Sequence, residues 1–260
     1  MHTPAPLFSQ PELKRYARHI LLREIGGPGQ ARLKRARVLF VGAGGLGAPA
    51  LLYLAAAGAG HLTIVDDDTV SLSNLQRQII HSDDRIGMAK VASAQIGLAA
   101  INPHVAITPL RARLDENLAA QLMPKHDLVI DGSDNFPTRH LVNAACVAAS
   151  VPLLSGAISQ WEGQLSLFDP ARGAPCLACV FPVIPATGLA PACAEAGVMG
   201  ALPGIVGAMM AAEAIKELTG AGRSLRGRLL LQDVLWGESR AITVVRNPNC
   251  AICGEKESQT

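Results

Sequence analysis

Aromatic side chains are scarce in this sequence, at 3% of 260 residues. So few rings argue against a surface that stacks nucleobases. Charge of one sign is missing too, with 23 Lys+Arg set against 21 Asp+Glu. That balance leaves no electrostatic footprint for nucleic acid or for an anionic membrane. Residues 1–10 lack a basic patch followed by an apolar run, so they do not read as a signal peptide, and a cytoplasmic location is expected. An uninterrupted membrane span is also lacking. The stretch 38–65 carries no formal charge, but Gly42, Gly44, Gly45, Gly47, Gly58, Gly60 and Pro49 break it up, and Asp66, Asp67 and Asp68 follow at once. It reads as a buried strand, a glycine turn, a helix and a second strand.

What remains is a chain that is 49% hydrophobic, enough for a sizeable core without disulfide staples. Its length fits one large domain or two small ones, and it is read as a single domain, 1–260, with three parts: an N-terminal helical segment (12–34), a nucleotide-binding half (35–150) and a second half (151–254). The helical segment is charged and broken at Gly26, Gly27, Pro28 and Gly29. Strands are expected at 38–41, 62–65, 105–108 and 128–130, and helices at 46–57, 87–100 and 136–149. This alternation predicts an α/β fold with a doubly wound, mainly parallel sheet, Rossmann-like in type. Short strands at 165–168, 229–231 and 242–245 would extend the sheet in antiparallel fashion. A long apolar helix is expected at 204–218, a mobile loop at 179–197 and a loose tail over the last seven residues.

Gly42-Ala43-Gly44-Gly45-Leu46-Gly47 follows the first strand directly and matches G-x-G-x-x-G. Glycines there allow a tight turn and close backbone approach to a phosphate, with a helix N-terminus behind it. Asp66, 19 residues after Gly47, ends the next strand, where an acid binds ribose hydroxyls. The glycine turn and Asp66 alone would also fit a nicotinamide-dependent oxidoreductase. Asn74, Arg77 and Lys90 follow soon after, and Asp134-Asn135 closes the loop after the fourth strand. Two cations and a carboxylate on that edge suit a triphosphate with Mg²⁺ better than a nicotinamide ring.

Of six cysteines, four form two C-x-x-C pairs, Cys176/Cys179 and Cys250/Cys253. Each pair can grip one side of a tetrahedral Zn²⁺, and a closed set of four thiolates would be structural. Cys193 stands apart in the predicted mobile loop, where a thiol is available for acyl or persulfide chemistry. Cys146 sits in an apolar helix and reads as core.

Taken together, the segments 15–20, 42–47, 66–70, 73–78, 87–90 and 131–135, the two cysteine pairs and 193–198 closely resemble the MoeB/ThiF-type adenylyltransferases of the ubiquitin-activating superfamily. The similarity covers about residues 12–254. The resemblance implies that Gly42, Gly44, Gly45 and Gly47 cradle ATP, Asp66 holds its ribose, Asn74, Arg77 and Lys90 contact the phosphates, and Asp134, beside Asn135, holds Mg²⁺. It implies a homodimer in which Arg18 reaches into the neighbouring subunit's site. The substrate would be the Gly-Gly tail of a ubiquitin-like sulfur-carrier protein, activated as an acyl-adenylate for thiocarboxylate formation in molybdenum cofactor biosynthesis, with sulfur from a separate donor protein. The same reaction on the thiazole-pathway carrier and a non-catalytic carrier-binding scaffold are the alternatives. His19 and Gly132 depart from the family, which often shows Gln and Cys there.

Overall fold

A computed structural model describes residues 7–184 and 197–254. Among these, eight strands form one sheet in the order β3-β2-β1-β4-β5-β6-β7-β8. Strands β1 (Arg37–Val41), β2 (His61–Val65), β3 (Ala106–Leu110), β4 (Leu128–Asp131) and β5 (Leu153–Ser159) run parallel. Strands β6 (Glu162–Phe168), β7 (Arg228–Asp233) and β8 (Glu238–Thr243) continue the sheet in antiparallel fashion.

Strand β1 shows why its sequence is a plain apolar run. Val38 and Phe40 join the core beneath helices α3 (Gly47–Ala57), α4 (Lys90–Ile101) and α8 (Leu202–Thr219). Leu39 and Val41 face the opposite core, formed with α5 (Glu116–Leu122) and α6 (Phe136–Ala149). Successive side chains point to opposite faces, and helices cover both, so every position after the exposed Arg37 must be apolar. The strand order reverses between β1 and β4, and a crevice opens there at the C-terminal strand ends.

Several expectations shift. Gly26, Gly27, Pro28 and Gly29 do not break the N-terminal helical segment at that point. The break comes earlier, after α1 (Gln10–Ile20), and the glycines form the first turn of α2 (Gly26–Arg35). Close packing accounts for one of them: a Cβ on Gly29 would meet Ile25 at 3.0 Å and Thr219 at 3.4 Å. The helix expected from residue 87 starts at Lys90, because Gly87 has φ +86. The last strand ends at Thr243, short of Val245, and Cys179 lies in the single helical turn α7 (Leu177–Val180) instead of a loop. Strand β5 and helix α5 were not anticipated. Cys193, most of the proposed mobile loop and all but the first residue of the proposed tail lie outside the described residues.

Helix α1 is fixed at its start by a capping box, in which Ser9 and Glu12 satisfy each other's backbone donors. Glu12 also pairs with Lys34 on α2 at 2.5 Å. Burial pushes the Glu12 carboxyl up, but the Lys34 ammonium and the Ser9 donors outweigh it and hold it at about 2, against an ordinary 4.5. A folded-state value below the unfolded one stabilises the fold above pH 4.5, and that contribution disappears as pH falls through about 2. Glu12→Gln should therefore lower stability by only about 1–2 kcal/mol at neutral pH, because solvent reaching the partly exposed Lys34 screens the pair. In urea titrations its deficit against the parent should shrink steadily between pH 4.5 and pH 2; a deficit independent of pH would rule out the ion pair as its source.

Candidate active site and thiol centre

The crevice at the switch point is a cleft of about 350 Å³. Its floor is the turn between β1 and α3. Gly42 adopts φ +93, where a side chain would be strained, and a Cβ on it would stand 3.1 Å from the Gly132 carbonyl of the loop after β4. A Cβ on Gly47 would collide with the Gly42 carbonyl oxygen. The turn closes only because both positions lack side chains.

Ala43, at the tip of that turn, is held from two sides. Its N–H donates to Asp66 Oδ2 at 2.7 Å. Its carbonyl accepts from His81 Nε2 at 3.0 Å. A carbonyl can only accept, so Nε2 carries the proton, and Nδ1 is left to accept the Ser93 hydroxyl at 2.8 Å. Burial drives the His81 imidazole toward its neutral form, with Lys90 and Arg85 adding repulsion and the Ala43 bond opposing it. Asp66 Oδ1 accepts the Asp68 N–H at 2.9 Å. Burial raises the Asp66 carboxyl, and Lys90 and the two backbone donors work against that rise. Each carboxylate oxygen accepts one backbone bond, which leaves a lone pair on each for a pair of vicinal hydroxyls.

Gly42, Gly44, Gly45, Asp66, Arg77, Lys90, Asp134 and Asn135 all line the cleft, so the structure brings most of the expected residues together. Lys90 is buried at the start of α4, with Nζ 2.7 Å from Asp68 Oδ2. Arg77 donates to the Ser73 carbonyl at 3.0 Å. Asp134 is exposed, and Asn135 caps α6 by accepting the Thr138 N–H at 2.9 Å. Gly47 stands behind the turn. Asn74 is one turn before Gln78 and does not border the cleft; its carbonyl accepts the Arg77 and Gln78 N–H groups. Arg18 lies elsewhere. Its helix packs through Tyr16 on Gly58, at the end of α3 opposite the glycine turn.

Four cleft features escaped sequence reasoning. They are the His81 clamp, buried Gln78 with its Oε1 unpaired, Ser133 with its hydroxyl unpaired, and Arg139, whose Nη2 donates to the Ser133 carbonyl at 2.6 Å. Arg139 could have been found from spacing, since it follows Asn135 by one helical turn and must face the same side of α6.

The cysteine pairs do meet. Sγ–Sγ separations are 3.9 Å for Cys176–Cys179, 3.7 Å for Cys176–Cys250 and 3.4 Å for Cys179–Cys253. All four sulfurs fall within 4.8 Å of one another. Tetrahedral zinc with bonds near 2.3 Å needs sulfurs about 3.8 Å apart, so the donor set fits. Buried Asn143 on α6 accepts the Leu177 N–H at 2.8 Å and reaches Cys176 Sγ at 3.7 Å, which fixes the first pair to that helix. Burial pushes the Cys176 and Cys179 thiols up. At Cys250 burial is outweighed by the backbone N–H groups of Cys253 and Ile252 and by neighbouring thiols, bringing it to about 7. A thiol near neutrality readily releases its proton to water as a metal binds the thiolate.

Residues 16–252 match the ThiF family, and the chain belongs to it. It is 47% identical over 256 residues to a sulfur carrier protein adenylyltransferase of Thermus thermophilus, across 97% of this chain and 94% of that one. It is 48% identical over 247 residues to the molybdopterin-synthase adenylyltransferase of Escherichia coli K12, across 95% and 98%. The crystal structure of Escherichia coli MccB with ATP shares the fold, with a TM-score of 0.81 at 22% identity over 96% of this chain and 76% of that one.

The thiol centre ties residues near the end of the described chain to α7. Cys253→Ser should lose bound zinc and a stabilising cross-link. A loss of about 3 kcal/mol would lower the melting temperature by roughly 6–12 °C. Metal analysis beside thermal melts checks this, and an unchanged melt in metal-free protein would deny the centre a structural role.

Proposed function

We propose that this protein adenylylates the C-terminal glycine carboxylate of a ubiquitin-like sulfur-carrier protein, using ATP, and so prepares it for thiocarboxylate formation in molybdenum cofactor biosynthesis. The observation that carries this reading is the convergence of the glycine turn, Asp66, Arg77, Lys90 and Asp134 on one cleft. The near-full-length likeness to two named adenylyltransferases supports it.

The chemistry asks the protein mainly to position and to neutralise charge. A carboxylate oxygen attacks the α-phosphorus, a new O–P bond forms, and the bond to the β-phosphate bridging oxygen breaks, with pyrophosphate leaving on the electron pair. Two anions must approach each other, and Lys90 and Arg77 offset that repulsion and hold the charge developing in the transition state. Asp66 accepts ribose hydroxyls while its other lone pairs keep the turn closed. Asp134, exposed at the cleft mouth, would hold Mg²⁺, which when bound supplies further positive charge to the phosphates. The four-cysteine centre holds Zn²⁺ in a closed, structural role.

Arg18 completes the site from a second copy of the chain, since its own helix lies at the far end of α3; the protein acts as a homodimer. Asn74 supports the phosphate contacts from the turn that carries Arg77. Sulfur comes from a separate donor protein after adenylylation, and a thiol step at Cys193 belongs to that later stage. Among the described residues no helix is long and apolar enough to cross a membrane, and we place the reaction in the cytoplasm. The broader name of the Thermus thermophilus relative leaves the thiazole-pathway carrier as a second substrate reading.

Lys90→Ala should slow carrier-dependent ATP–pyrophosphate exchange by roughly 10²- to 10³-fold, in line with loss of one preorganised transition-state contact, with an unchanged melting profile. Run with the small subunit of molybdopterin synthase and with the thiazole-pathway carrier, the same assay assigns the pathway. Parental rates in Lys90→Ala would remove Lys90 from the mechanism.

A further inference from the structure

We propose that Arg139, together with the Ser133 hydroxyl, receives the terminal carboxylate of the incoming protein tail. The assignment rests on the adenylylation reading above and names the residues that read the acyl substrate. Among the described residues, Arg139 alone borders both the nucleotide cleft and a small hollow of about 20 Å³ beside it. Ser155, Gly156 and Ala157 of β5 line that hollow together with Gln164 of β6, and among the described residues Arg139 is the one charged group there. Ser155, Gly156 and Ala157 keep the β5 wall beside Arg139 free of bulky side chains, which suits a terminal residue that has none of its own, such as glycine.

The donors at this junction have no anion to serve. One Arg139 N–H is spent on the Ser133 carbonyl, and among the described residues the guanidinium forms no ion pair. Lys90, by contrast, is already paired with Asp68. Ser133 Oγ is buried and has no hydrogen-bond partner among the described residues. A half-buried guanidinium and an unsatisfied hydroxyl make a two-point receptor for an acceptor-only group, and a carboxylate fits the guanidinium fork. Held there, the carboxylate stays ionised and keeps one oxygen free to attack. Adenylylation then removes its charge, so the same contact binds substrate better than product.

The test compares the molybdopterin-synthase small subunit bearing a free C-terminal carboxylate with the same carrier bearing a C-terminal amide. Calorimetry without ATP gives the affinity ratio for the parent, Arg139→Gln, Arg139→Lys and Ser133→Ala. The parent should favour the carboxylate by roughly 10- to 100-fold, the range for a charge-assisted hydrogen bond. Arg139→Gln should bring the ratio close to one while ATP affinity changes by less than about twofold. Arg139→Lys should recover part of the preference, and Ser133→Ala should lose a smaller part than Arg139→Gln. A ratio retained in Arg139→Gln, or no preference in the parent, would overturn the assignment. So would ATP and carrier affinity falling together, which marks Arg139 as a brace for the Ser133 loop alone. Pyrophosphate exchange on the parent separates the two readings: absent exchange with a ratio that collapses in Arg139→Gln refutes adenylylation and keeps the carboxylate site.

Discussion

The close approach of the Gly47 and Gly42 backbones is the constraint on which the rest of the cleft depends. With no Cβ at either position the chain can double back within one turn after β1. That fold-back aims the N-terminus of α3 into the crevice and brings the Ala43 backbone within reach of Asp66 on one side and His81 on the other. Asp66 stands at the end of β2, and His81 is anchored by Ser93 on α4. One turn therefore locks two strands and two helices in register, and the groups that would meet a nucleotide inherit their positions from it.

The antiparallel half is attached to this frame through packing. Helix α8 lies across α3, β5 and β6, and a Cβ on Gly156 of β5 would run into Met210 of α8. The hairpin of β7 and β8 then returns the chain so that Cys250 and Cys253 meet a pair 74 residues earlier in sequence. A metal held there would close a loop of that length and add its binding energy to the folded state. It would also fix α7 and α6, and α6 carries Arg139 on its second turn. In this way the four-cysteine cluster is linked through α6 to the side of the cleft that carries Arg139.

Much of this was legible in the residues, for identifiable reasons. The buried parallel strands were readable because two covered faces force continuous apolar runs. The glycine turn and the cysteine pairs were readable because few residue types can do what those positions require. Strand β5 was not, because its run Leu153-Leu154-Ser155-Gly156-Ala157-Ile158-Ser159 is half small residues, chosen by contact with α8 and the adjoining hollow instead of by strand propensity. Helix α2 fell within the expected helical segment but its start did not: tertiary contacts at Gly29 override the poor helix propensity of glycine. His81 and Arg139 act on backbone carbonyls 38 and 6 residues away, and a sequence carries no direct mark of a side chain-to-backbone bond.

The central claim is that a protein carboxylate becomes an adenylate in this cleft. Incubating the purified chain with ATP, Mg²⁺ and a sulfur-carrier protein ending in Gly-Gly, then quenching in acid for intact-mass spectrometry, tests it directly. The account predicts carrier whose mass has risen by one AMP moiety, absent when the terminal carboxylate is an amide. Carrier of unchanged mass in the presence of protein that binds both ATP and carrier would contradict it.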